Sequence, residues 1–137
     1  MTSSGPDDTA RAGADLAARL QPGDVILVSG DLGAGKTTFV RGALRALGVT
    51  EEVTSPTFVV GHLYEDGRLA HLDLYRLAGL DGEDPGLLDP YFGPDMISFV
   101  EWPERAGDDD AAAGGRPVVR RVRLEHAGGD EREIVLA

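Results

Sequence analysis

Asp24-Val25-Ile26-Leu27-Val28-Ser29 runs directly into Gly30-Asp31-Leu32-Gly33-Ala34-Gly35-Lys36-Thr37-Thr38, an apolar strand feeding a loop that satisfies the pattern G-x-x-x-x-G-K-[ST]. The chemistry of such a loop follows from its glycines. Gly30, Gly33 and Gly35 allow backbone conformations that turn the N–H groups of Asp31, Leu32, Gly33, Ala34 and Gly35 inward, onto phosphate oxygens at the N-terminus of the next helix. Lys36 is the only lysine in the chain and adds a full charge at the β- and γ-phosphates, while the Thr37 hydroxyl is placed to ligate Mg²⁺. The expected fold class is therefore α/β: a single phosphate-loop NTPase-like domain, with a mixed central sheet, flanking helices and antiparallel hairpins.

The bulk properties bound what surrounds this loop. At 137 residues and 42% hydrophobic, the chain has the size of one domain with a modest core, so residues 1–137 are expected to form one unit. Cysteine is absent, which excludes disulfides, iron–sulfur clusters and cysteine–zinc sites. The N-terminal residues have neither a basic nor an apolar leader pattern, and no apolar run is long enough to cross a bilayer, so a cytoplasmic protein away from membranes is expected. The net charge of −11 repels nucleic acid, so any RNA would be met only indirectly, through a protein partner.

Outward from the loop, residues 9–20 are alanine-rich with helical apolar spacing, with Asp7 and Asp8 as possible caps and residues 1–7 as a flexible lead-in. A helix is expected over 36–47, with Gly48 as its C-terminal cap. Residues 57–64 and 68–75 flank Glu65-Asp66-Gly67 as a hairpin, and Met96-Ile97-Ser98-Phe99-Val100-Glu101-Trp102 reads as a second core strand closed by Pro103. Residues 106–117 have loop composition, and 118–126 with 131–136 form a terminal hairpin.

Glu101 ends an apolar strand, the position of the carboxylate that holds Mg²⁺ directly or through water in phosphate-loop enzymes. Two readings stay open for Asp73: it polarises the attacking water or supports the metal, or it pairs with Arg76 on a sheet face. Thr54-Ser55-Pro56-Thr57 lies where switch loops sit, with hydroxyls such as that of Thr57 able to sense a γ-phosphate, and it also reads as a turn initiated by Ser-Pro. Trp102, the sole tryptophan, either stacks near a nucleotide or packs in the core. His62 and His71 read as structural, because neither has a second ligand at metal spacing. Arg116, Arg120, Arg121 and Arg123 form a local basic cluster expected to face solvent.

Together these pieces resemble the bacterial TsaE (YjeE-type) ATPase family of tRNA threonylcarbamoyladenosine biosynthesis. The phosphate loop, Thr54-Ser55-Pro56-Thr57-Phe58, His71-Leu72-Asp73-Leu74-Tyr75-Arg76 and Val100-Glu101-Trp102-Pro103 occur in the family's order and spacing. The resemblance implies slow ATP hydrolysis with Mg²⁺ and action in a complex with TsaB- and TsaD-type proteins, sustaining turnover of adenosine-37 modification. It makes Lys36 and Thr37 phosphate and Mg²⁺ contacts, Thr38 a further phosphate-side hydroxyl and Glu101 a metal-side carboxylate. Asp73 becomes a catalytic acidic residue, Trp102 a nucleotide-proximal aromatic and Thr9 a contact near the base. The chain departs from the family pattern over 81–90, rich in proline and glycine, and at the acidic run 108–110.

Other phosphate-loop classes fare less well. A Ras-type GTPase needs a lysine in its N-K-x-D motif, and Lys36 is already used. A small-molecule kinase remains an alternative, with Arg76 and Arg105 as lid candidates, as does a nucleotide-gated interaction module with negligible hydrolysis.

Overall fold

The computed structural model describes residues 1–54, 60–77, 83 and 86–137. Strand β2 (Val25–Gly30) is the spine, its first four residues buried on both faces as a strand inside a covered parallel sheet must be. It pairs in parallel with β5 (Ile97–Glu101) on one side and β6 (Val118–Gly128) on the other. Beyond β5 lies parallel β4 (Leu69–Asp73), then antiparallel β3 (Gly61–Tyr64). Beyond β6 lie β7 (Glu131–Leu136) and the two-residue β1 (Thr2–Ser3), both antiparallel to their neighbours. The order β1-β7-β6-β2-β5-β4-β3 is thus a parallel centre with antiparallel margins, the mixed sheet expected.

Alternation along each strand divides the core into two layers. Ile26, Val28 and Phe99 meet helices α1 (Pro6–Ala17) and α2 (Lys36–Ala46) through Leu16, Phe39 and Leu44. Val25, Leu27, Leu72 and Val100 pack on the other face against Ala106, Ala112 and Ala113. That second face is covered by a 3-10 turn, Pro103–Ala106, and by the short helix α3 (Asp109–Ala112). The segment 106–117, expected as loop, is therefore partly helical. The reason is local, because the Asp108 carboxylate accepts from the Ala111 N–H at 2.8 Å and caps the turn.

At the N-terminus the helix starts at Pro6, three residues earlier than expected, and ends at Ala17. Proline at the first helical position presets φ and sacrifices an N–H that has no helical partner there. Asp7 and Asp8 are not caps; they lie within the first turn, where their charge favours the positive end of the helix, and Gly5 holds the capping position. Residues 1–7, read as a flexible lead-in, instead carry β1 and the start of α1. At the end of α2 the expected cap holds: Gly48 has φ 107°, and the Val49 N–H reaches back to the Leu44 carbonyl at 3.1 Å. Of the hairpin expected over 57–75, the described strands are the shorter spans β3 and β4. The reading of Ser55, Pro56, Thr57 and Phe58 lies outside the described residues.

Helices α1 and α2 approach so closely that two glycines have no space for a side chain. A Cβ on Gly13 would stand 2.0 Å from the Phe39 carbonyl oxygen, and one on Gly42 2.0 Å from that of Ala10. Backbone cannot yield like a side-chain tip, so α1 would have to lift away from α2. Gly42→Ala is expected to destabilise the fold by about 1–3 kcal/mol, despite alanine's better helix propensity, as overpacking does. Urea unfolding measures it, and a midpoint at or above wild type would show that the helices separate freely.

Candidate functional site

Three strands deliver their C-terminal ends to one place. Parallel pairing sets Val28 beside Glu101 and Asp73 beside Glu101, so the last residues of β4 and β5 flank the loop that leaves β2. Ligands of open parallel sheets bind at this edge, because loops and helix N-termini converge there. The alternation that sends Phe99 toward α2 sends Glu101, His71 and Asp73 to the same face.

The loop has the backbone its glycines permit, with φ 77° at Gly33 and 98° at Gly35, the residue that caps α2. A side chain in that left-handed region would be strained, and α2 begins immediately afterwards with its N–H groups facing the cleft. The Lys36 ammonium folds back over the loop. It donates to the carbonyls of Gly30 at 2.8 Å and Asp31 at 2.7 Å, and lies 4.1 Å from the centroid of the Trp102 ring. Lys36 is only 4% exposed. Burial lowers its pKa from the ordinary lysine value, opposed by the negative charges of Glu101, Asp73, Glu104 and Asp31. An anion in the cleft would supply the countercharge that lost water no longer provides.

Glu101 is 2% exposed and engaged on both oxygens. The Thr37 hydroxyl lies 3.1 and 3.0 Å from Oε1 and Oε2, and Nε2 of the fully buried His71 lies 2.5 Å from Oε2. Asp73 is half-buried and accepts from the Tyr75 N–H at 3.0 Å. Among the described residues no ion pair joins it to Arg76, the pairing that one sequence reading invoked. Trp102 adopts a left-handed backbone, φ 58° and ψ 49°, which swings its indole back over the loop. Tyr75 packs on it at 4.9 Å between centroids, and Arg105 caps both rings.

These groups line a cleft of about 290 Å³ that includes Lys36, Thr37, Asp73, Glu101 and Trp102. A neighbouring cavity of about 190 Å³ shares Gly33, Gly35 and Thr38 with it and reaches Thr9 and Arg132. Asp31, Leu32 and Gly33 stand exposed at the loop's tip, whereas Ala34 is buried beneath it. Thr9 is 2% exposed, with its hydroxyl 2.7 Å from that of Ser3, so it meets this second cavity from below the loop. Thr57 lies outside the described residues.

Sequence reading missed two features here. His71 was read as merely structural, yet it is bonded to the buried carboxylate; its two-residue offset from Asp73 in a strand was the available signal. The terminal hairpin also reaches the loop. His126 Nε2 lies 3.3 Å from the Leu32 carbonyl, and Arg132 donates to the Gly33 carbonyl at 3.3 Å, contacts between residues far apart in sequence. Within the basic cluster, Arg121 and Arg123 face solvent as expected, and they pair with Asp109 and Glu125, so those charges are locally answered.

The donor set fits a hard cation. A threonine hydroxyl and a carboxylate touch across the cleft floor, and among the described residues no group of three or more histidines or acids forms a metal cage. Mg²⁺ is commonly held this way, by one or two protein oxygens together with substrate phosphates and water.

The family model for the threonylcarbamoyl adenosine biosynthesis protein TsaE matches residues 3–134. The chain is 41% identical over 131 residues to the tRNA threonylcarbamoyladenosine biosynthesis protein TsaE of Bacillus subtilis, covering 94% of this chain and 78% of that one. It is 41% identical over 128 residues to the protein of the same name from Streptomyces coelicolor, covering 90% and 82%. The crystal structure of Bacillus subtilis YdiB superposes with a TM-score of 0.73 at 34% identity, over 99% of this chain and 82% of that one. Among the described residues no helix is long and apolar enough to cross a membrane.

Lys36→Met removes the ammonium but keeps the buried stem. We expect it to abolish ATP binding in isothermal titration while shifting stability by no more than about 1 kcal/mol, because its lost hydrogen bonds are offset by relief of a buried charge. It should also change Trp102 emission without any ligand, since the cation leaves the ring. Retained ATP affinity in the folded variant would contradict the assignment of Lys36.

Proposed function

The chain belongs to the TsaE family of threonylcarbamoyladenosine biosynthesis proteins, a phosphate-loop NTPase-like fold, and from that premise we propose that it binds Mg·ATP and hydrolyses it slowly. The observation that carries this reading is the convergence of Lys36, Thr37, Asp73 and Glu101 on one cleft at the ends of three strands. Its role is in tRNA threonylcarbamoyladenosine biosynthesis, where we place it as the ATPase acting with TsaB- and TsaD-type proteins to sustain turnover. The acidic chain leaves tRNA contact to those partners.

In this reading the loop N–H groups and the start of α2 bind the phosphates. Lys36 trades its loop carbonyls for phosphate oxygens, gaining a full countercharge in a site that water cannot easily reach. Thr37 and Glu101 would hold Mg²⁺, which when bound neutralises charge across the β- and γ-phosphate oxygens. Asp73, on the neighbouring strand end, orients the attacking water and accepts its proton. Trp102 closes the side of the cleft and limits competing solvent.

The two acids predict different defects. Glu101→Ala should weaken ATP binding much more in Mg²⁺ buffer than in EDTA, whereas Asp73→Ala should bind Mg·ATP and lose about 10²–10⁴ in hydrolysis rate. Isothermal titration reads the first and phosphate release, with and without the partner proteins, reads the second, beside a screen of small-molecule acceptors. If Asp73→Ala hydrolysed ATP like wild type, the acid would have no part in the chemistry. Phosphate transfer to an acceptor would instead favour a kinase.

A further inference from the structure

Behind the Glu101 carboxylate that lines the cleft lies a buried histidine that neither phosphate binding nor water activation requires. His71 is wholly buried on β4, two residues before Asp73, and Nε2 meets Glu101 Oε2 at 2.5 Å. Its other ring nitrogen, Nδ1, is buried with no partner among the described residues. A histidine kept only to fill the core would ordinarily have both nitrogens satisfied, or be replaced by an apolar residue that leaves no polar atom dry. Here the ring spends its one hydrogen bond on the carboxylate.

We propose that His71 is the positioning residue of the metal-side carboxylate: its Nε2–H fixes the Glu101 side chain so that an oxygen stays turned toward Thr37 and the cation. The inference rests on the Mg·ATP reading of the cleft. The geometry explains the need. Glu101 ends β5, and Trp102 immediately after it leaves the strand in a left-handed conformation, so the backbone alone leaves several rotamers open to the carboxylate. Thr37 approaches both oxygens at nearly equal distance and cannot choose between them, whereas His71 binds only Oε2. The ring thereby marks Oε2 as the oxygen held by the sheet and leaves Oε1 to face the cleft. Groups behind a ligand commonly change metal affinity or activity by about 10–100-fold when removed.

The test uses Mn²⁺ as a paramagnetic probe with a non-hydrolysable ATP analogue, read by electron paramagnetic resonance. His71→Leu removes the donor while keeping a buried side chain of similar size, and His71→Gln restores an N–H near the Nε2 position. We expect His71→Leu to weaken Mn²⁺ by about 10–100-fold while binding the analogue normally in EDTA, and His71→Gln to recover most of the loss. Unchanged Mn²⁺ affinity in His71→Leu would overturn the proposal. So would a folded His71→Gln as weak for metal as His71→Leu. If His71→Leu fails to fold, long-range ¹H–¹⁵N spectra of the wild-type ring decide: a proton on Nε2 supports the assignment, and an unprotonated Nε2 overturns it. A wild-type protein that binds neither Mn²⁺ nor the analogue would instead sink the Mg·ATP reading itself, a distinguishable failure.

Discussion

A carboxylate almost sealed from water has to be answered by donors, and Glu101 is answered from two directions, by the hydroxyl of Thr37 on α2 and the imidazole of His71 on β4. These contacts tie the loop helix to the two strands beside it. If either donor were lost, the buried charge would be left partly unpaired, at a cost of several kcal/mol. The position of α2 over the sheet, and with it the phosphate loop, is therefore coupled to one side chain at a strand end.

The same economy is visible at Lys36. Its ammonium is held by two loop carbonyls and an indole face, a set of partners weaker than a phosphate. The proposed ligand would replace these partners with stronger ones in a loop whose shape its glycines already permit.

Much of this was legible in the sequence because the signals were local. The apolar run 24–29 followed by glycines at fixed spacing gave the strand, loop and helix, and Glu101 was found because it ends an apolar strand. What escaped depends on contacts between distant residues or on local competition. The contact of His71 with Glu101 forms only once β4 lies parallel to β5. Arg132 and His126 meet the loop only after the terminal hairpin has added to the sheet. The start of α1 was misjudged because an aspartate pair looks like a cap, whereas Pro6 preset the first turn. The coil expected over 106–117 failed for a similar reason, since Asp108 caps a short helix within a run of acids.

The proposed function depends above all on a Mg²⁺ site formed by Thr37 and Glu101 beneath the phosphate-binding loop. Anomalous diffraction from crystals grown with Mn²⁺ and a non-hydrolysable ATP analogue tests it most directly. A metal peak within reach of Thr37 Oγ1 and Glu101, with the analogue phosphates on residues 30–38, is expected. A metal peak elsewhere, or an analogue bound away from residues 30–38, would contradict it.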